Sequence, residues 1–245
     1  MRWSRSRPHH VADSSVRPFV IATRNPEKAR EIVEIFSVRA ATPLVAAAVD
    51  AGDSTTVGFL VATPADAPGA LAALVVPPVA PDVAETGDTL EANARIKAVA
   101  VGRALGVPAL ADDTGLEVDA LGGAPGVHTA RYAGPEATGA QNCARLLADM
   151  RERLRASRTA RFVTVVVHHD PDSGLDTLGR GKVEGVIVDE PRGDHGFGYD
   201  PVFAPAGGHG RTFAEMSSDE KHALSHRGRA VAALARTLTN ATEEQ

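Results

Sequence analysis

The chain has 245 residues, 43% of them hydrophobic and 23% charged, with 26 Lys and Arg against 31 Asp and Glu and a formal net charge of −5. That length supports one large domain or two small ones with a substantial core, and the acidic balance argues against a broad basic face for duplex nucleic acid. The single Cys143 excludes an internal disulfide and a cysteine-built metal cluster and fits a reducing cytoplasm, and no apolar run approaches the roughly 20 residues of a membrane helix.

Residues 1–18 hold Arg2, Arg5, Arg7 and Arg17 without the apolar segment of a secretory signal, so they read as a disordered leader before a domain spanning 19–240. Phe19-Val-Ile-Ala-Thr23 is a short β-prone run. A helix follows at once: Asn25 suits the N-cap, Pro26 the first turn and Glu27 the positive dipole end, with Ala29, Ile32, Val33, Ile35 and Phe36 at helical spacing. Residues 49–79 turn to Ala, Val, Pro and Gly without a steady period and read as an insertion, with one extra strand near Thr56–Val61. Asp88 with Glu91 has the spacing of a capping box, and an Ala-rich helix then runs to about Leu105 before Gly106. Asn93 and Lys97 lie four residues apart, hence on one face of it.

Pro108–Val118 reads as strand, turn and strand, with Asp112 and Asp113 at the bend. Residues 122–134 form a Gly- and Pro-punctuated loop, and Glu136–Ser157 a helix. Arg161–His168 is a β-branched central strand, Val183–Val188 another, and Ser217–Leu238 a helix interrupted near Gly228. His168 and His169 are expected to face a turn and solvent. Strands and helices interleave, which makes the class α/β.

The phosphate loop G-x-x-x-x-G-K-[ST], the dinucleotide fingerprint and the G-x-S-x-G elbow are all missing. Three clusters remain. Thr23–Lys28 is a strand-to-helix junction whose free amides attract phosphate, although an ordinary N-cap with a surface lysine has the same residues. Glu85, Asp112 and Asp113 come together if the flanking strands pair, and hard divalent cations take such carboxylates; a solvated turn is the plain alternative. Lys221, His226 and Arg227 follow the Gly-rich loop Phe197–Asp200, where an aromatic and cations can hold a planar base.

The motifs in order are Ala22-Thr-Arg-Asn-Pro-Glu-Lys28, Glu85-Thr-Gly-Asp-Thr-Leu-Glu-Ala-Asn93 with Lys97, and Ala111-Asp-Asp-Thr-Gly115. Then come Leu121-Gly-Gly-Ala-Pro-Gly126 with Ala130-Arg-Tyr132, Gly196-Phe-Gly-Tyr-Asp-Pro201, and Glu220-Lys221 with Ser225-His-Arg227. In this pattern, over Phe19 to Leu238, the sequence resembles the inosine-triphosphate pyrophosphatase family, which clears non-standard purine nucleotides. The resemblance implies a long mixed sheet flanked by helices, two lobes with a central substrate cleft, and a homodimer. It implies hydrolysis of ITP, dITP and XTP to the monophosphate and pyrophosphate. Thr23, Arg24, Asn25 and Lys28 would hold the triphosphate, with Asn93 and Lys97 facing the phosphates. Glu85 and Asp113 would bind Mg²⁺, Asp113 would activate water with Lys28 and Lys97 assisting, and Thr114 would touch substrate. Phe197, Gly198, Tyr199 and Asp200 would form the base pocket, with Lys221, His226 and Arg227 donating toward the keto edge.

Ala92 stands where the family usually carries an acid, and the adjacent Glu91 is turned ~100° around the helix. Residues 49–79 exceed the family's usual length there. His222 and His226 have the i, i+4 spacing of a zinc pair, but no H-E-x-x-H surrounds them. Arg151, Arg153, Arg155 and Arg158 read as an exposed helix end, and Glu117 and Asp119 as a solvated strand face. Two rivals are a related-fold pyrophosphatase for pyrimidine or modified nucleotides, which would turn over UTP or dTTP faster than ITP, and a catalytically silent nucleotide sensor.

Overall fold

The computed structural model describes residues 19–23, 25–39, 45–49, 57–61, 83–153 and 157–243. The leader and most of the 49–79 insertion lie outside these residues, as does Arg24. The strands are β1 (Phe19–Ile21), β2 (Val45–Val49), β3 (Val57–Val61), β4 (Ala109–Val118), β5 (Pro125–Gly126), β6 (Thr159–His169), β7 (Asp176–Ile187) and β8 (Phe203–Pro205). They form one mixed sheet in the order β2-β3-β1-β4-β6-β7-β8, with β5 beside β4. Only β1 with β4 is parallel; the other pairings are antiparallel. The helices are α1 (Pro26–Arg39), α2 (Leu90–Leu105), α3 (Gly139–Arg151), α4 (Ser218–Leu224) and α5 (His226–Glu243). The strand expected near Thr56–Val61 is β3.

Strand alternation sends successive β4 side chains to opposite faces. Ala109 and Ala111 join Val165 and Val167 against Ala94, Ala98 and Val101 of α2. Leu110 joins Val166, Phe19 and Ile21 against Ile32 and Ile35 of α1 and Ala230, Val231 and Leu234 of α5. Further along, Leu116, Val118 and Phe162 meet Cys143, Leu146, Leu147 and Met150 of α3. Small residues set the spacing where elements approach closely. A Cβ on Gly181 of β7 would lie 2.0 Å from the His226 carbonyl oxygen and 2.4 Å from the Ala230 amide, so α5 can rest on β7 only because that Cβ is missing.

Several local expectations are corrected. Residues 109–118 form a single strand with no bend, because β6 pairs with it continuously from Ala109 to Val118. Thr89, not Asp88, caps α2, its hydroxyl accepting from the Ala92 amide at 3.1 Å, while Glu91 pairs with Arg95 and Arg180. The helix expected over 136–157 is shortened to α3, where Thr138 and Gln141 form a capping box. β7 begins at Asp176, well before Val183, because it pairs along β6 to His169. The C-terminal helical stretch breaks at Ser225, the C-cap of α4, and Gly228 lies inside α5. His169 is buried, not solvated, with Nδ1 2.6 Å from Asp176. Glu117 and Asp119 do face solvent as expected, and there they pair with Arg161. Arg158 donates to the Ile187 and Val188 carbonyls instead of ending a helix.

Candidate active site

β1 pairs with β4 only at Ala109 and Leu110, and β5 pairs with it at Leu116 and Glu117. Between them, residues 112–115 have β6 on one side and no strand among the described residues on the other. Through this gap both faces of β4 reach a cavity of about 260 Å³ lined by Asn25, Lys28, Glu85, Asp113, Phe197 and Arg227 among others. The gap lies just past the C-terminal end of β1, the usual ligand position in open sheets with parallel strands.

Asn25 works as the N-cap that its sequence suggests. Its Oδ1 accepts from the Glu27 and Lys28 amides at 2.9 and 3.1 Å, while its own amide donates to the Thr23 hydroxyl at 3.2 Å. The cap sets the first turn of α1 so that Lys28 Nζ lies 3.4 Å from Asp112 Oδ2.

Asp112 and Asp113 are adjacent in sequence and opposite in role. Asp112 Oδ2 accepts from Arg227 Nε and Nη2 at 3.2 and 3.1 Å and from Thr114 Oγ1 at 3.1 Å. Arg227 also donates through Nη1 to Glu31 Oε2 at 2.5 Å. Burial works against the Asp112 charge, yet Lys28 and Arg227 outweigh it and hold its carboxyl well below the ordinary range. On the other face Asp113 Oδ1 takes Lys97 Nζ at 3.1 Å and Oδ2 the Asn93 amide at 3.4 Å. Here burial prevails over Lys97 and Lys28, and the Asp113 carboxyl is raised. Lys97 also donates to Glu85 Oε1 at 2.8 Å. Burial opposes the Lys97 charge, but Asp113, Asp112 and Glu85 raise its pKa.

The Lys97 ammonium bridges two carboxylates, which is where a divalent cation would sit. Two carboxylates leave most coordination positions to water and substrate oxygens, the pattern Mg²⁺ prefers. Among the described residues no group of three or more His, Cys, Asp or Glu could hold a metal ion by itself, so substrate oxygens and waters would complete this site. The donor set fits such an ion.

The aromatic side of the cleft is built from the loop before β8. Asp200 Oδ2 accepts from the Phe197 amide at 2.8 Å and from Lys221 Nζ at 2.7 Å, and Lys221 also lies 3.5 Å from Glu31. Gly196 has φ +71°, and a Cβ there would lie 2.1 Å from Asp200 Oδ2, so the loop closes on its own carboxylate only with glycine. Lys221 Nζ sits 4.7 Å from the Phe197 ring centre. Tyr199 donates its hydroxyl to the Thr129 carbonyl at 3.0 Å, fixing the loop to the opposite wall. His226 stacks on Phe162 at 4.5 Å, and burial together with Arg227 and Lys221 pushes its pKa well down, so the ring is neutral.

The structure therefore brings Asn25, Lys28, Glu85, Asp113, Thr114, Phe197, Gly198, Tyr199, Asp200, Lys221, His226 and Arg227 to one cavity. Thr23 stands behind Asn25 as its acceptor. Asn93 is fully buried, and its amide bonds Asp113 and the Gly87 backbone; Lys97 reaches the cavity through its carboxylates. His222 Nε2 lies 3.4 Å from Glu34, while His226 stacks on Phe162. Sequence reasoning missed Glu31, which bonds Arg227 and pairs with Lys221. A signal existed: Glu31 is a carboxylate on the same α1 stripe as Ile35, which is buried in the core.

Fold and cleft define a class: an α/β protein whose strand gap joins a cation and carboxylate set to a glycine-rich aromatic loop. The Ham1 family model matches residues 19–237, and the chain belongs to that family. A protein of Geobacillus kaustophilus called dITP/XTP pyrophosphatase is 40% identical over 223 residues, covering 89% of this chain and 93% of its own. One of Syntrophobacter fumaroxidans with the same name is 54% identical over 158 residues, covering 64% of this chain and 66% of its own. Among solved structures, a HAM1 protein from Coxiella burnetii is similar at a TM-score of 0.65 and 33% identity, covering 91% of this chain and 97% of its own.

Proposed function

We propose that the protein hydrolyses non-standard purine nucleoside triphosphates, ITP, dITP and XTP, to the monophosphate and pyrophosphate in a Mg²⁺-dependent reaction. The observation that carries this is the strand gap, which sets Lys28, Lys97 and the Glu85 and Asp113 carboxylates on one side of a cleft and an aromatic loop on another.

In this reading Phe197 offers the stacking surface and Lys221 and Arg227 the donors for the base. A base with a 6-keto group accepts from a cation there, whereas adenine presents an amino group and leaves a buried donor unpaired, at a cost of ~1–3 kcal/mol. The triphosphate then runs along the gap, with Lys28 and the amides of α1 near its oxygens. Water attacks the α-phosphorus, its proton passes to Asp113, and the bond to the bridging oxygen breaks with the electron pair leaving on pyrophosphate. Mg²⁺ held by Glu85 and Asp113 would neutralise charge on the phosphate oxygens. Lys97, which bridges those carboxylates, would direct its charge to the same oxygens.

Residence in the cytoplasm and a homodimeric state belong to the same proposal, supported by a single buried cysteine and by the family resemblance. No helix among the described residues is long and apolar enough to cross a membrane. The direct test measures pyrophosphate release from ITP, XTP, GTP, ATP and UTP with Mg²⁺ and after EDTA. We expect ITP and XTP to be preferred and EDTA to abolish turnover until Mg²⁺ is restored. Full activity in metal-free buffer would remove the metal role of Glu85 and Asp113, and a preference for UTP would favour the pyrimidine alternative.

A further inference from the structure

Three strands present a level row of residues on the sheet face that α1 and α5 cover. β4 offers Thr114, β6 offers Thr164 in register with it, and β7 offers Gly181 in register with Thr164. Thr164 shares its face with Val166, two positions on, which packs against both helices. From Phe162 to Val167 the rest of β6 is Phe and Val, so Thr164 sets a lone hydroxyl in an apolar run. The residue is fully buried. A buried hydroxyl is costly unless it is hydrogen-bonded, and valine would fill the same volume without that cost. The Thr164 hydroxyl has one partner to show for it: Oγ1 lies 2.7 Å from Thr114 Oγ1.

Counting protons gives this contact a direction. The Thr114 hydroxyl has a single proton, while Asp112 Oδ2 at 3.1 Å can only accept and Arg227 Nη2 at 3.1 Å can only donate. The Thr114 proton goes to Asp112, so Thr164 is the donor to Thr114. Were Thr114 to donate to Thr164 instead, its lone pairs would face the Asp112 carboxylate. Arg227 is counted in the same way, since a guanidinium has five N–H donors. Nε and one Nη2 proton go to Asp112, the other Nη2 proton to Thr114 and one Nη1 proton to Glu31. Among the described residues the second Nη1 proton has no partner. The guanidinium carbon stands 5.7 Å from the centre of the Phe197 ring, beside the aromatic loop, and Arg227 and Thr114 both line the cleft.

We propose that Thr164 is a positioning residue for substrate binding, acting through Thr114 on Arg227. Its donation keeps the Thr114 proton on Asp112 and a Thr114 lone pair on Arg227 Nη2, which leaves Nη1 as the nitrogen offered to the base. The inference rests on the reading of Arg227 as a donor to the base and adds the residue that orients it. Asp113 and Lys97 lie on the opposite face of β4, so the effect belongs to binding and not to the attack of water.

The test is the kinetics of pyrophosphate release with Mg²⁺ for the unmutated protein, Thr164→Val, Thr164→Ser, Thr114→Val and the double valine variant. The substrate is whichever of ITP, XTP, GTP, ATP and UTP the unmutated protein turns over best. A preference for ATP or UTP then counts against the substrate reading and not against Thr164. Valine keeps the volume and removes the donor, so Thr164→Val should raise KM about two- to tenfold, the range of one hydrogen bond, with kcat near the parent value. Thr164→Ser should restore KM, and Thr164→Val should add nothing once Thr114 is already valine. An unchanged KM, a loss confined to kcat, or the same rise in both Thr114 backgrounds overturns the proposal. Failure of serine to restore KM also overturns it, and makes Thr164 a packing residue. Thermal unfolding checks that each variant folds, and Thr164→Ala carries the comparison if the valine variant does not.

Discussion

Asp112 and Asp113 differ by one position and by everything that surrounds them. Asp112 is 1% exposed and neutralises the partly buried Lys28 and the buried Arg227, so Asp112→Asn leaves both cations short of a counter-charge. Breaking such a buried pair costs about 3–5 kcal/mol, and chemical denaturation should read a loss of that order. Asp113→Asn removes a charge that burial already disfavours. Its stability loss should stay below ~1 kcal/mol, while turnover of ITP and XTP should fall together by orders of magnitude. Equal stability losses in the two variants would contradict the assignment of the faces.

His226 adds a pH dependence whose sign can be worked out. Its pKa is lowered from 6.5 by burial and by its cationic neighbours, so as pH falls through that value the unfolded chain takes up a proton that the native state refuses. Stability therefore falls toward acid, by at most about 1.4 kcal/mol per pH unit from this one group. His226→Phe keeps the stack on Phe162 and removes the titration. Between pH 7.5 and 5.5 the variant should lose less stability than the parent, as urea unfolding at several pH values would record; parallel curves would count against a neutral His226.

At the scale of elements, α5 is positioned by the strand beneath it. Gly179 and Gly181 let its backbone lie on β7, and Arg229 Nη1 donates to the Lys182 carbonyl at 2.7 Å. The first turn of α5 carries His226 and Arg227, so the same contact places two residues of the cleft. Gly181→Ala must displace backbone, because its Cβ would meet a carbonyl oxygen and an amide, not a pliable side-chain end. Overpacking of this kind costs about 1–3 kcal/mol. We expect a lower melting temperature and a raised KM for ITP, the second because Arg227 moves with its helix. A change in melting temperature without a change in KM would mean that α5 tilts about its first turn.

Across the whole molecule, β6 ties the site together. It pairs with β4 from Ala160 through His169 on one side and with β7 from Thr159 through His169 on the other. β4 bears the two aspartates and β7 supports α5. Residues Val165, Val166 and Val167 are buried on both faces of the sheet, by α2 and by α1 with α5. Native-state hydrogen exchange should therefore be slowest in the middle of β6, with protection near the global unfolding free energy, and faster in α4. Exchange in α4 as slow as in β6 would show that the cleft's far wall opens only with the entire domain.

Much of this was open to reading in the sequence because its causes are local. The N-cap at Asn25, the helix after Thr89 and the β-branched run in β6 follow from side chains and their neighbours within a few positions. The six motifs named the residues that gather at the cleft. Tertiary structure decided the rest. Pro108–Val118 looks like two strands and a turn until β6 pairs with its full length, and that pairing gives Asp112 and Asp113 opposite faces. The gap at 112–115 exists because β1 stops at Ile21 and β5 starts at Pro125, neither of which is a property of β4. Glu31 and Arg227 meet across 196 positions. Periodicity and propensity act over a helical turn or a strand, whereas a charge network depends on which surfaces the packed sheet brings within a few ångströms.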